Sequence, residues 1–475
     1  MSLTPTAQRA TPSARYVTVG RRLRGPAAVV ALCATPLVLW ALAQPLSTRW
    51  ADPGIGLTSM AVLLAMAGTS SFAVNLVLGA RLRAVEWFFG GLDRMYGVHK
   101  VNGRVAFSLL LGHALLITAG RAVVSVESAA ALFTGGAGWV VSFGVLALLF
   151  MTVAIVLTLY GRLNHEWFIY VQRSFGFIFL LASLHVFMTT GTKASSPALT
   201  YYLTALSLAG LAAFAYRSLL GDVFIPRLQY NVLQVTELGD HSVREITMAP
   251  DGRHLAFTPG QFVFVTFSSS AMSKEFHALT LKPAGESEIM TFRPGAVANQ
   301  YHPFSITSAS HEPELRIAVK AVGDYTRALH WLERGAEARV EGPYGAFSHL
   351  RIPNPRQVWL AGGIGITPFL SMARSLDSPG YGIDLYYGME RDDEGYFLEE
   401  LSSIGDRYPG LRVISFRRDV QGFITADAVG RISGPLEEPD FLICGPPAMI
   451  DNLTWQLRAA GVLDSRIHFE KFGFA

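Results

Sequence analysis

The chain has 475 residues, of which 51% are hydrophobic and only 16% charged, with a net charge of +3. About 25% charged is usual in soluble proteins, and the apolar residues gather before residue 220, so a wholly soluble protein is excluded. The near-neutral balance gives no footing for nucleic acid, and the two cysteines, Cys33 and Cys444, one in each half, imply no disulfide framework.

Residues 1–25 are rich in Thr, Ser, Pro and Arg and read as a disordered tail ending in Arg21, Arg22 and Arg24. An apolar run follows at 26–45. A signal peptide is the alternative there, because Ala41-Leu42-Ala43 resembles a cleavage site. Further apolar runs occupy 57–80, 105–119, 139–160, 167–189 and 200–216. Each approaches the ~20 residues needed to cross hydrocarbon, the third only with its polar beginning included. Six spans are therefore expected. Basic residues cluster at 21–24, 81–104, Arg162 and Arg173, and Arg217 and Arg227, whereas the intervening loops hold only Arg49, Arg121 and Lys193. The positive-inside rule then puts both termini in the cytoplasm, in a plasma (inner) membrane.

The stretch 91–120, GLDRMYGVHKVNGRVAFSLLLGHALLITAG, carries His99 and His113 fourteen residues apart. On a helix their rings point within about 40° of each other and lie roughly 21 Å apart along the axis. Histidine in lipid is costly and usually functional, and neutral imidazole ligates iron. Two stacked haems fit this spacing. The plain alternative is two histidines satisfied by hydrogen bonds between helices. The fifth run, HEWFIYVQRSFGFIFLLASLHVFMTT, carries His165 at its start and His185 toward its outer end, where His185 can face His113. His165 precedes His185 by about 30 Å of straight helix, too far to face His99 unless its loop folds back.

From residue 224 the pattern changes to short alternating strands with Gly/Pro turns, which reads as a small antiparallel barrel. It contains PGQFVFVTF (259–267), HPFSITSAS (302–310) and VGDYTRAL (322–329). Ser305 and Thr307 can offer donors to a flavin edge, His302 suits an anion, and Gly323, Asp324 and Thr326 can open a helix whose N-terminus receives a pyrophosphate. The segment 268–301 is a long connection and reads as a surface excursion. Pro353 and Pro355 mark a boundary. Beyond it, QVWLAGGIGITPFLSMARSL is a strand, a glycine turn (Gly362, Gly363, Gly365, then Thr367 and Pro368) and a helix. Together with strands at 383–388, 412–416 and 440–444, that is a nucleotide-binding arrangement. Ser415, Arg417 and Arg418, an arginine pair with a hydroxyl at a strand end, suit a phosphomonoester, which the resemblance given below implies is a ribose 2′-phosphate, favouring NADPH over NADH.

These motifs, in this order, resemble the ferric reductase/NADPH oxidase family of transmembrane flavocytochromes b, whose cytosolic half is of the ferredoxin-NADP reductase kind. The resemblance covers about 91–474. It implies haem ligation by His99, His113 and His185, and FAD held by the His302-Pro303-Phe304-Ser305 strand with Thr307. It further implies a nicotinamide site at Cys444, Gly445 and Pro446, and a C-terminal aromatic on the flavin, Phe472 or else Phe474. The family's fourth, inner histidine falls here on Gln172 or Val171, leaving one or two haems b. A histidine that oxygen-reducing members carry falls on Ile117, and no arginine lies near Asn75, which weakens an oxidase.

The expected architecture is multi-domain. After the tail (1–25) come a six-helix transmembrane haem domain (26–220), a β-barrel FAD domain (221–352) and an α/β NADPH domain (353–475). The expected activity passes electrons from NADPH to an acceptor outside, ferric chelates before oxygen. The rivals are a membrane-anchored flavin reductase without haem and a six-span transporter with a regulatory nucleotide domain.

Overall fold

The computed structural model describes residues 12–471 except 44, 162, 164, 190–195, 240–241, 269–275, 282–286, 293–299 and 378–379. The chain divides into two compact units, Met1–Ile225 and Pro226–Ala475.

Among its described residues the first unit has six helices long and apolar enough to cross a membrane: α1 (Pro12–Ala43), α2 (Pro53–Gly79), α3 (Leu92–Val124), α4 (Trp139–Tyr160), α5 (His165–Met188) and α6 (Pro197–Phe214). Helix α1 starts at Pro12, so residues 12–25, expected as a disordered tail, are helical and continuous with the first span. Local chemistry sets the other starts. The Asp52 carboxylate accepts from Ile55 N at 2.9 Å with Pro53 in the first turn of α2. Gly91 (φ 136°) precedes α3 and Gly138 (φ 94°) precedes α4, backbone conformations that a side chain would strain.

Helix α2 is the most enclosed span, packed by α1, α3 and α6. Small residues let backbones approach closely. A Cβ added at Gly68 would meet Leu110 at 2.8 Å, and one at Gly210 would lie 3.0 Å from the Ala73 main chain. Helices α4 and α5 form a second closely packed pair that meets the first group at fewer places. One joint is aromatic. Phe72 of α2 packs edge-on against Phe179 (ring centres 4.9 Å) and Phe175 (6.3 Å) of α5.

The second unit opens with β1 (Leu228–Leu238), β2 (Val243–Pro250), β3 (Phe262–Phe267), β4 (Phe276–Leu281), β5 (Ser287–Phe292), β6 (His302–Ser305), β7 (Leu315–Lys320), the short helix α7 (Asp324–Ala328) and β8 (Glu337–Tyr344). Six strands form an antiparallel sheet in the order β6-β3-β8-β1-β2-β7. It curls so that its two edges meet at an Ile306–Ile317 bridge. Inside lie Val232, Ile246, Met248, Val263, Val265, Phe304, Ile306 and Ile317. The connection at 268–301 contains a hairpin, β4 paired with β5, that the sequence reading did not anticipate.

The rest is β9 (Arg356–Gly362), α8 (Thr367–Arg374), β10 (Gly382–Met389), α9 (Leu398–Arg407), β11 (Leu411–Arg417), α10 (Ala426–Ser433), β12 (Asp440–Gly445), α11 (Pro447–Ala459) and β13 (Ile467–Lys471). The five strands are parallel in the order β11-β10-β9-β12-β13. Alternation along the strands splits the core in two. Trp359, Ala361, Leu385, Tyr387, Leu442 and Cys444 face α8 and α9. Val358, Leu360, Tyr386, Phe441 and Ile443 face α10 and α11. The strand order reverses between β9 and β12, which is where open parallel sheets present a ligand crevice.

Candidate functional site

In the first unit, His99 and His113 stand on α3 and His185 on α5. All three rings obey one rule. Nδ1–H donates to a main-chain carbonyl of a neighbouring helix: His99 to Asn75 O at 3.1 Å, His113 to Ala61 O at 2.9 Å, and His185 to Val140 O at 2.9 Å. That bond fixes the tautomer and leaves the Nε2 lone pair for a metal. The residue four places beyond each acceptor is small, namely Gly79, Ala65 and Gly144. A Cβ at Gly144 would lie 2.9 Å from the His185 ring, whereas one at Gly79 would lie 3.5 Å from His99.

The His113 and His185 ring centres are 6.4 Å apart. Two imidazoles binding one iron from opposite sides, with bonds of about 2 Å, would have centres about 6 Å apart. A haem fits this pair. Among the described residues no group of three or more His, Cys, Asp or Glu is placed to hold a metal ion. At the two places expected for an inner partner of His99, Val171 packs against the helix core and Gln172 is bonded elsewhere. Gln172 donates its amide to Thr158 Oγ1 on α4 at 3.4 Å. The His165 side chain lies outside the described residues.

On the flavin strand, Phe304 and Ile306 turn into the sheet core, so Ser305 and Thr307 share the other face. Ser305 Oγ is buried and has no hydrogen-bond partner among the described residues, as a group awaiting a ligand would be. The Thr307 hydroxyl donates to Glu245 Oε1 at 2.9 Å and its N–H to Arg316 O, so both of its donors already have partners within the protein. Pro303 pairs with Phe264 across β6 and β3. His302 stacks on Tyr325 with ring centres 3.8 Å apart, a partner not anticipated. Burial pushes the Tyr325 phenol up, keeping it neutral. Gly323 caps α7 as expected. The Thr326 hydroxyl, however, accepts from the Val322 and Gly323 amides at 3.0 and 2.9 Å, which ties it into the cap. The Asp324 side chain lies outside the described residues.

At the reversal point of the parallel sheet, the glycine loop and the Cys-Gly-Pro turn come together. A Cβ on Gly365 would sit 2.5 Å from Cys444 O, and one on Gly362 would sit 2.4 Å from Met449 Sδ. Gly363 adopts φ 52°. Thr367 Oγ1 donates to Ile364 O at 3.0 Å and Pro368 occupies the first turn of α8. Gly445 also lies against Gly362, and Pro446 precedes α11. Cys444 is fully buried. Burial, and after it the Glu470 carboxylate, push its thiol up, so it is a neutral SH group. Glu470 is in register with Cys444 across β12 and β13 and is itself buried. The sequence reading missed it; the signal was a lone acid in the apolar terminal strand RIHFEKF. Phe472 and Phe474 lie outside the described residues.

Ser415 is on edge strand β11, with Arg417 at its end. Both arginines are already paired: Arg417 with Asp419 (3.0 Å) and Asp392 (3.4 Å), and Arg418 with Glu390 (2.7 Å). A phosphate would have to compete with these exposed carboxylates.

Comparison with known proteins agrees with this domain order. Residues 64–183 match the family described as ferric reductase like transmembrane component. Residues 272–348 match an FAD-binding domain and 359–454 an oxidoreductase NAD-binding domain. A flavohemoprotein of Rhodopirellula baltica is 28% identical over 250 residues, 45% of this chain and 61% of that protein. The ferredoxin reductase component of a 3-ketosteroid-9-alpha-monooxygenase from Mycolicibacterium smegmatis is 28% identical over 259 residues, covering 52% and 65%. The chain thus spans under two thirds of the length of these relatives. The crystal structure of a ferredoxin NADP+ reductase from Neisseria gonorrhoeae aligns with a TM-score of 0.39 and 17% identity over 51% of this chain and 98% of that one. By its domains the chain joins a ferric reductase like transmembrane component to an FAD-binding domain and an oxidoreductase NAD-binding domain. The set and order of those domains are the architecture of the ferric reductase/NADPH oxidase family.

Proposed function

We propose that the protein carries electrons from cytoplasmic NADPH through FAD and b-type haem to an acceptor on the far side of the membrane, most readily a ferric chelate. The observation that carries this reading is the His113–His185 pair, with ring centres 6.4 Å apart and both Nδ1–H groups committed to main-chain carbonyls. FAD held at the curled sheet would supply the conversion of a two-electron hydride donor into single electrons, and His113 and His185 would hold a haem able to accept them one at a time. The chain's own residues do the positioning. Gly362, Gly363 and Gly365 let the backbone approach a pyrophosphate, the Ser305 hydroxyl offers a donor to the flavin, and neutral Cys444 packs beside the nicotinamide without adding charge. His99 would give an inner haem one imidazole from this chain, so the reading allows one or two haems, with the outer pair carrying the stronger case. The positive-inside pattern supports an inner-membrane location with both termini cytoplasmic, and domain limits near 26–220, 221–352 and 353–475 follow.

NADPH is favoured by Ser415, Arg417 and Arg418. The carboxylates of Asp392, Asp419 and Glu390 around the two arginines favour the second reading, NADH. Two measurements test the proposal. Purified protein should show a Soret band that shifts on adding NADPH without oxygen; flavin bleaching with no Soret band would replace it with a membrane-anchored flavin reductase. With NADPH fixed, ferrous iron should form faster than superoxide, and the reverse order would make the protein an oxidase.

A further inference from the structure

Helix α8, which follows the glycine loop, ends in Arg374. Its side chain is only 6% exposed. Its guanidinium forks onto Glu400 of α9, Nε to Oε1 at 2.7 Å and Nη2 to Oε2 at 2.8 Å. Its Nη1 reaches across to the curled sheet, donating to Glu245 Oε1 of β2 at 2.9 Å and to the Thr307 carbonyl at 2.9 Å. Glu245 Oε1 in turn accepts from the Thr307 hydroxyl. Two further bonds flank this cluster. Ser371 Oγ donates to Ser308 O at 2.8 Å, and Ser310 N donates to Ser375 Oγ at 3.1 Å. Residues 371–375, one helix length from the glycine loop, therefore grip residues 307–310, which lie just beyond Ser305.

Burial acts against the charge on Arg374. The Glu400 and Glu245 carboxylates outweigh it and raise its pKa, so the guanidinium stays ionised. A buried ion cluster is seldom the most stable filling for such a space, since well-packed apolar groups often do as well. What a planar fork with fixed directions adds is register. The register here is that of α8 against the flavin strand, and it fixes how far the end of β9 lies from Ser305.

We propose that Arg374 is a positioning residue for hydride transfer, setting the separation of nicotinamide and flavin through its simultaneous hold on Glu400, Glu245 and the Thr307 carbonyl. In that step the C–H bond at the nicotinamide breaks, and the hydrogen leaves with both bonding electrons to form an N–H bond on the flavin. The dinucleotide ends oxidised and the flavin ends reduced by two electrons, with no other reactant. The inference rests on the flavin and nicotinamide reading given above.

The test uses the full-length protein in detergent, loaded with FAD, and anaerobic stopped-flow bleaching of flavin by NADPH. Arg374→Met should lower the limiting rate about 10- to 100-fold, the scale of a misplacement near 1 Å. The half-saturating NADPH concentration should change less than about twofold, and long-wavelength charge-transfer absorbance should weaken. Arg374→Lys should recover part of the rate, because an ammonium keeps one carboxylate and loses the fork. A limiting rate unchanged in Arg374→Met, or an effect confined to half-saturation, overturns the proposal. If Arg374→Met does not accumulate, Glu245→Gln and Glu400→Gln decide: lower limiting rates in both uphold it and unchanged rates overturn it. Failure of the wild-type flavin to bleach would instead remove the nicotinamide reading beneath it.

Discussion

The two units solve the problem of placing chemistry in opposite ways. In the membrane unit the candidate site consists of a few polar side chains on apolar helices, each oriented by one main-chain carbonyl. In the second unit it consists mostly of backbone: glycines at strand ends, a helix start, and a crevice that the strand order creates. The contrast predicts different kinds of failure. Loss of one side chain in the first should remove a cofactor outright, whereas substitutions in the second should be graded unless they strike a main-chain contact.

The sharpest way to break the comparison is the outer histidine pair. His113→Ala or His185→Ala should each remove a whole haem equivalent, read as haem per protein. Gln172→Ala should leave haem content nearly unchanged, because that amide is bonded to Thr158. Full haem retention in His185→Ala would end the contrast. Next comes a main-chain contact. Gly365→Ala brings a methyl to 2.5 Å from Cys444 O, which cannot swing aside. Overpacking of this kind costs about 1–3 kcal/mol, so NADPH-driven flavin bleaching should slow by about tenfold or more while bound FAD stays constant.

A graded effect is expected at β11. Replacing Arg417 and Arg418 with Ala should raise KM for NADPH by roughly tenfold, because charged hydrogen bonds to a phosphate are lost and solvent screening tempers the loss. KM for NADH should hardly move, and equal effects on both would refute a 2′-phosphate site. The smallest effect concerns stability alone. His349 is buried beside Trp359 and Tyr381, and burial, opposed by Asp377, pushes its pKa down to about 4 from 6.5. A histidine held neutral in the folded state contributes stability that is complete above the unfolded value. It is lost as pH falls from 6.5 toward 4, up to about 3 kcal/mol. Thermal unfolding of the second unit should follow that slope, and His349→Gln should flatten it.

Much of this organisation was legible in the chain. The six spans, the histidine spacing, the flavin strand and the glycine loop all depend on short-range pattern, and the folded chain keeps them. What could not be read depends on partners far away in sequence. Ser305 and Thr307 look equivalent on paper, yet Glu245 and Arg374, 62 and 67 residues from Thr307, take up its hydroxyl and carbonyl. The carbonyls that orient the histidines lie 24, 52 and 45 residues away. Arg417 and Arg418 looked like free cations because Glu390 and Asp392 belong to a different turn. Glu470 went unnoticed because only strand register brings it beside Cys444.

One feature of the membrane unit reaches beyond catalysis. Helices α4 and α5 adhere closely to each other and meet the group around α2 at fewer places, among them Phe72 against Phe175 and Phe179. On the reading proposed above, the metal-bearing ring between His113 and His185 is a second rivet across that joint. Supply of the pigment would then govern assembly as well as turnover, and a cell starved of it would be left with a four-helix group and a zipped hairpin loosely hung together, ready substrate for quality-control proteases.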